Sequence, residues 1–260
     1  MDESRRNFLK VAGSAAVGAA WAVPVVKALA GGGKTQTWPG GRAARRWALV
    51  IDVNKCSSPA VQRACAEACH RVHNVPHVPE HKHEVKWIWS TGFENAFPEQ
   101  AHHDYRRDLL ENPVMVLCNH CERPPCVRVC PTQATFKRPD GVVMMDMHRC
   151  IGCRYCIAAC PYGARSFNWE DPLKYLDHPR PDYPHRTKGV VEKCTFCTER
   201  LARGLEPACV EAAVRVAGPG AMVFGDVGDP NSAVSQLLRT KTTLRRKPGL
   251  GTEPHVFYVV

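Results

Sequence analysis

Cysteines at fixed intervals, each run closed by a proline, are the residues of this chain equipped for chemistry. Cys118, Cys121, Cys126 and Cys130 precede Pro131; Cys150, Cys153, Cys156 and Cys160 precede Pro161. The second run reads C-x2-C-x2-C-x3-C-P, the spacing that holds cubane iron–sulfur clusters. The first differs by two extra residues between its second and third cysteines. In this pattern three closely spaced thiolates wrap one cluster. The fourth, set back and turned away by the proline, reaches the cluster of the partner run. Crossed ligation assigns Cys118, Cys121, Cys126 and Cys160 to cluster 1, and Cys150, Cys153, Cys156 and Cys130 to cluster 2.

Six further cysteines flank this centre: Cys56, Cys65 and Cys69 upstream, and Cys194, Cys197 and Cys209 downstream. A second crossed pair would need eight. The downstream run lacks its set-back member, because position 213 is Ala213 and no proline follows. The upstream run has no cysteine between Cys56 and Cys65. Under the crossing rule, Cys194, Cys197 and Cys209 join Cys69 in a complete cluster 3. Both losses then fall on one further cluster, which keeps only Cys56 and Cys65. Three [4Fe–4S] clusters are therefore expected. Cys56 and Cys65 are left free, joined by a disulfide, or retained as ligands of a cluster completed by histidine or water. Cys65-Ala-Glu-Ala-Cys69-His70 also matches a wide-spaced haem-attachment motif, but that use would consume a cluster 3 ligand.

Other roles for fourteen cysteines fit less well. A disulfide scaffold does not require these quartets, and cysteines at such spacing do not pair easily with one another. Zinc ribbons use separated pairs. The formal net charge is +10, of which the first 30 residues carry +2. The basic residues are spread out, dense only over Arg42–Arg46 and Arg239–Lys247, and no nucleic-acid module is present, so no nucleic-acid partner is expected. Nucleotide loops, flavin motifs and nucleophile constellations are also missing from the sequence, which argues for electron transfer without bond chemistry.

The elements that must position these cysteines follow from the surrounding pattern. Residues 1–30 read as a twin-arginine signal peptide: Ser4-Arg5-Arg6-Asn7-Phe8-Leu9-Lys10, a weak apolar run, and Ala28-Leu29-Ala30 as cleavage site. That predicts a periplasmic protein, exported folded and peripheral on the inner membrane. Residues 31–46 are a glycine-rich linker. Residues 47–260 form the iron–sulfur domain, with an inner unit at about 114–170, an outer unit from 47–75 and 187–226, and a tail at 227–260. Trp47–Asp52 reads as a buried strand, Ala60–Val72 as a helix, and Val114–Leu117 as the strand leading to Cys118. Asp140-Gly141 marks a hairpin between Thr135–Lys137 and Val142–Asp146. Strand, cluster loop, short helix and strand thus occur twice, with Ala164–Trp169 last. Thr198–Arg203 reads as a helix, Ala221–Gly225 as a closing strand, Ser232–Leu238 as a helix, and Val256–Val260 as a docked end. His70, His73, His77, His81 and His83 are a possible metal site, though Pro76 and Pro79 break any common face. Phe93–Asn112 reads as a polar outer insertion with a short helix near Tyr105–Leu110, and proline-rich Asp171–His185 as a loop. The expected fold class is α+β, built from duplicated ferredoxin-like cluster-binding units with long irregular loops.

With its cysteine groups nested outer, inner, inner, outer, the chain resembles the iron–sulfur subunits of the dimethyl-sulfoxide-reductase family from Trp47 to Val260. Several blocks are similar to the DsrO-type subunit of the membrane complex linked to dissimilatory sulfite reductase. They are CHRVHNVP (Cys69–Pro76), HEVKWIW (His83–Trp89), VLCNHCERPPCVRVCPTQATFKRPDG (Val116–Gly141), CIGCRYCIAACPYGARSFNW (Cys150–Trp169) and TKGVVEKCTFCTERLARG (Thr187–Gly204). The family's four-cluster pattern departs here at Pro59 or Gln62 and at Ala213. The resemblance implies an electron-transfer subunit of sulfur metabolism lying on a polytopic quinone-interacting membrane subunit. It also implies a periplasmic multihaem cytochrome and cytoplasmic iron–sulfur partners across the membrane. The rival expectations are the electron-transfer subunit of a periplasmic molybdoenzyme, of polysulfide, tetrathionate or nitrite reductase type, and a stand-alone periplasmic ferredoxin.

Overall fold

The apolar run WALVID forms strand β1, Trp47–Asp52, with its central residues buried. A computed structural model of the chain describes residues 46–101 and 111–260, which belong to one unit, Ala44–Val260. The export signal, the lead-in up to residue 45 and the helix expected near Tyr105–Leu110 lie outside the described residues. After β1, Pro59 opens helix α1, Pro59–His73, where a missing N–H costs nothing. Val61, Cys65, Ala68 and Cys69 make its buried stripe at helical spacing. Left-handed Asn74 closes it by donating its N–H to the His70 carbonyl.

Strand β2 (Ile88–Gly92) and helix α2 (Phe93–Ala96) follow, then strand β3 (Pro113–Leu117), which pairs antiparallel with β2 in the register Ile88 to Leu117. This corrects the reading of Phe93–Asn112 as an outer polar insertion. Phe93, Ala96 and Phe97 are buried, and Phe97 meets Tyr258 edge to face at 5.0 Å. The run is polar on average, but Phe93, Ala96 and Phe97 fall at helical spacing on one side.

The centre is helix α3 (Pro125–Arg128), strands β4 (Thr135–Lys137) and β5 (Val143–Met145), helix α4 (Tyr155–Ala158) and strand β6 (Ser166–Phe167). Strand, loop, one-turn helix and strand therefore recur as the spacing indicated. β4 and β5 form the hairpin, and β6 pairs with β7 (Val191–Glu192). Beyond lie α5 (Thr198–Leu201), α6 (Ala208–Ala217), β8 (Met222–Asp226), α7 (Ala233–Thr240), β9 (Thr243–Leu244) and β10 (Val256–Val259). A four-stranded sheet runs β8-β1-β10-β9, with β10 parallel to β1 and the other pairs antiparallel. The apolar C-terminus is thus docked as a central strand.

Helix α6 has no counterpart among the elements expected from sequence, where its residues read only as a failed cysteine run. It packs on α1, and Ala212 and Ala213 are wholly buried in the core they share with Cys65. Among the described residues no helix is long and apolar enough to cross a membrane.

Candidate iron–sulfur site

Three C-x2-C loops carry the same backbone twist. The residue just before the second cysteine is left-handed in each: His120 at φ 42°, Gly152 at φ 70° and Phe196 at φ 54°. That twist bends the loop so that both cysteines and the N–H groups between them turn to one side, the geometry of an anion-binding nest. Between Cys56 and Cys65 no residue has positive φ. The two central runs also share an exit. Gln133 and Gly163, each three residues after a set-back cysteine, are left-handed and return their N–H to the Cys130 and Cys160 carbonyls, at 3.2 and 3.4 Å.

The fold gathers the cysteines into quartets. Cys118, Cys121, Cys126 and Cys160 line one cavity, with about 320 Å³ of space including its solvent-facing mouth. Cys130, Cys150, Cys153 and Cys156 line a second of about 270 Å³. In both cases the fourth member comes from the other run. In the outer unit Cys69, Cys194, Cys197 and Cys209 lie together in one buried core, where burial and then the charges of the other three push the Cys69 thiol well up. The His120 ring in the loop of the first quartet stacks on Phe196 in the loop of the third, and Arg165 on the wall of the first cavity bonds Thr135 on the wall of the second, so the first quartet adjoins both of the others.

The donor sets fit cubanes better than single ions. Tetrahedral zinc–sulfur bonds of about 2.3 Å hold sulfurs about 3.8 Å apart. Among the described residues, the one group of three His, Cys, Asp or Glu ligand atoms within 4.8 Å of one another is His73, Cys197 and Glu199, so no three of these thiols approach that closely. Burial and mutual charge push Cys121 and Cys194 up to about 12, so packed thiols would stay protonated unless a cationic core replaced their protons. Backbone N–H groups already aim at the sulfurs: Thr135 to Cys130, Phe196 to Cys194 and Ala208 to Cys197, each at 3.4 Å. Burial raises the Cys130 thiol, but hydrogen bonds from Thr135 and Thr132 outweigh it and leave it below its ordinary value. Asn119, buried on the wall of the first cavity, has among the described residues no hydrogen-bond partner for either side-chain polar atom.

Cys56 and Cys65 behave differently. Both are free thiols in the core, and each donates to a backbone carbonyl, Cys56 to Ala221 at 3.2 Å and Cys65 to Cys209 at 3.3 Å. A thiolate in either place would face a carbonyl oxygen. Burial pushes both up to about 12.

The five upstream histidines do not assemble. His73 is buried under Trp87 and bonds Glu199 at 3.0 Å, His81 lies near Glu84, and His83 near Glu170. Helix α1 ends at Asn74, ahead of the prolines at 76 and 79, so His77, His81 and His83 do not continue its face. Sequence reasoning missed two buried cations inside the cysteine core, Arg165 and Lys193. Arg165 stands just before β6 and Lys193 just after β7, and a charge at either place reads in sequence like any solvated one.

Residues 113–174 match the family model described as a 4Fe-4S dicluster domain. The protein is 43% identical to the Hdr-like menaquinol oxidoreductase iron-sulfur subunit 1 of Archaeoglobus fulgidus, over 98% of its own length and 97% of the relative. It is 35% identical to a tetrathionate reductase subunit of Salmonella typhimurium, over 100% of its length and 89% of that one. With a polysulfide reductase chain of Wolinella succinogenes it shares 36% identity, over 83% and 95%. Full-length similarity of this kind, together with the cysteine quartets, has one consequence: this protein belongs to the family of iron–sulfur subunits of oxidoreductase complexes, and is an electron-transfer subunit rather than a catalytic one.

Proposed function

We propose that the chain carries three [4Fe–4S] clusters as a one-electron relay on a membrane-associated, quinone-linked complex of sulfur metabolism. Cluster 1 is held by Cys118, Cys121, Cys126 and Cys160, cluster 2 by Cys150, Cys153, Cys156 and Cys130, and cluster 3 by Cys194, Cys197, Cys209 and Cys69. The observation that carries the count is the shared left-handed loop. It occurs three times and is absent where the fourth cluster would sit. The buried alanines of α6 and the carbonyl-bound thiols of Cys56 and Cys65 support the same count. On this reading the fold is a duplicated ferredoxin-like unit whose outer half keeps one cluster.

Electrons run 2–1–3 or the reverse. Cluster 2 is the end nearest solvent, since Cys153 is exposed and the neighbouring side chains Ile151 and Tyr155 are 67% and 61% exposed. The relatives' names support the setting, one being called a menaquinol oxidoreductase subunit and another a polysulfide reductase chain. The expected neighbours are a polytopic quinone-interacting membrane subunit, a periplasmic multihaem cytochrome and, across the membrane, cytoplasmic iron–sulfur proteins of a DsrO-type complex. The protein acts in the periplasm after twin-arginine export.

Purification of the complex from solubilised membranes, followed by mass spectrometry, tests the setting. A multihaem cytochrome without a pterin-containing chain is the expected result. A large pterin-containing partner would instead make this the subunit of a periplasmic molybdoenzyme.

A further inference from the structure

Among the described residues, two cations buried near the cysteines have no carboxylate partner. Arg165 is 5% exposed and Lys193 is 1% exposed. Arg186 is the contrast, because its Nη2 meets Glu192 at 2.6 Å with both side chains fully buried. Among the described residues, neither Arg165 nor Lys193 has such a carboxylate. Arg165 Nη1 donates to Thr135 Oγ1 at 3.2 Å and lies 3.5 Å from Met145 Sδ, and among the described residues no oxygen or nitrogen accepts from its buried Nη2. Lys193 Nζ donates to the carbonyl oxygens of Val143 and, at 2.8 Å, of Cys194. An isolated buried charge is strongly unfavourable unless something of opposite sign stands beside it.

Their positions say what that is. Arg165 lines the cavity of the first quartet, while the Thr135 and Met145 it touches line the cavity of the second. Lys193 reaches Val143 on the wall of the first cavity and Cys194 at the head of the third quartet. One fixed cation therefore stands at each junction of the 2–1–3 order. A cubane held by four thiolates is an anion, and taking up one electron without a proton makes it more negative. A cation fixed beside it in a poorly solvated interior favours the reduced form.

We propose that Arg165 and Lys193 are positioning residues of the relay, counter-charges that raise the reduction potentials of the clusters on either side: Arg165 for clusters 1 and 2, Lys193 for clusters 1 and 3. The proposal rests on the three-cluster reading.

The test is an anaerobic titration of the purified protein with dithionite, followed by electron paramagnetic resonance. Signals are assigned beforehand with Cys153→Ser for cluster 2 and Cys209→Ser for cluster 3. At a fixed potential, Arg165→Gln is expected to lower the reduced-to-oxidised ratio of clusters 1 and 2 about tenfold, equivalent to about 59 mV for one electron, and to leave cluster 3 unchanged. Lys193→Met should move clusters 1 and 3 and spare cluster 2. Arg165→Lys, which keeps the charge, should stay within about threefold of the unaltered protein. Where Arg165→Gln fails to retain iron, Thr135→Val removes the hydrogen bond that aims the guanidinium and should lower clusters 1 and 2 about threefold. Unmoved potentials in these variants, or an equal shift of all three clusters, overturn the proposal. Iron analysis keeps the two readings apart. About 12 iron atoms per chain with unmoved potentials overturns the cation role alone. About 16 with the junction-specific shifts overturns only the cluster count.

Discussion

The rings of His120 and Phe196 stack with their centroids 3.7 Å apart. Each residue stands just before the second cysteine of its loop and each is left-handed, so one backbone device used twice turns two rings face to face. His120 is further fixed by the Val143 N–H, which donates to its Nδ1 at 3.1 Å. The stack joins the loop of the first quartet to that of the third and fills the space between them with rigid, apolar packing. Phe196→Ala is expected to cost about 3–5 kcal/mol of stability, the usual penalty for emptying a buried aromatic site. A denaturant midpoint measured anaerobically reports the loss. The cluster 3 signal should disappear on warming before that of cluster 2, and simultaneous loss of both would show that the stack does not act locally.

Gly152 is required twice over. Its φ is +70°, and a Cβ there would come within 2.3 Å of the Gly189 carbonyl oxygen. The second demand is the harder, because both partners are backbone and neither can swing aside. Gly152→Ala should therefore distort the loop between Cys150 and Cys153 and lower iron from about 12 to about 8 atoms per chain, with cluster 2 the one lost. His120 and Phe196 adopt the same twist as ordinary residues, so the twist alone is tolerable and the close approach to Gly189 decides the outcome. Full iron content in Gly152→Ala would contradict this.

Cys56 and Cys65 separate a thiol in the core from a thiol at a metal. Each donates to a carbonyl, and a serine hydroxyl can do the same. Cys56→Ser and Cys65→Ser should keep about 12 iron atoms and all three signals, whereas Cys209→Ser should lose cluster 3. Loss of a cluster from Cys56→Ser would mean that a fourth site is occupied.

Much of this was legible in the chain. The triplets are local in sequence, and the crossing rule finds their fourth members without reference to tertiary contacts, nearby for the two central quartets and, for the third, as far away as Cys69 is from Cys194. The hairpin at Asp140-Gly141, β1, α1 and the docked C-terminus follow from turn chemistry and apolar period. Three things were hidden. β2 has few apolar residues and is a strand because β3 pairs with it, so its signal is non-local. Helix α6 carries in its first turn a cysteine, Cys209, that drew attention to spacing, and its alanines are an apolar face only once α1 lies on it. The roles of Arg165 and Lys193 depend on which cavities converge on them, and nothing in a charge next to a cysteine distinguishes a buried counter-ion from a solvated one.

The proline-rich loop after β6 is held by a buried ion pair, which gives the last prediction. Arg186 Nη2 meets Glu192 Oε2 at 2.6 Å and donates to the Asn74 carbonyl at 2.7 Å, and its Nη1 donates to the His73 carbonyl. Glu192 also accepts from Trp87 Nε1 at 2.7 Å and from Asn168 Nδ2 at 2.6 Å. The Asn74 side chain completes the tie by donating to the carbonyls of Arg180 and Tyr183 within the loop. The end of α1, the segment before β2 and strand β7 thus converge on one carboxylate. Glu192→Gln preserves the shape but strands the Arg186 charge, and should cost about 3–5 kcal/mol. Replacing both partners, as Arg186→Met with Glu192→Leu, removes the charge together with its counter-charge and should cost less than Glu192→Gln alone. Denaturant midpoints of the two variants decide it: a double variant less stable than Glu192→Gln would mean that the pair's hydrogen bonds to Asn74, Trp87 and Asn168 outweigh its electrostatics.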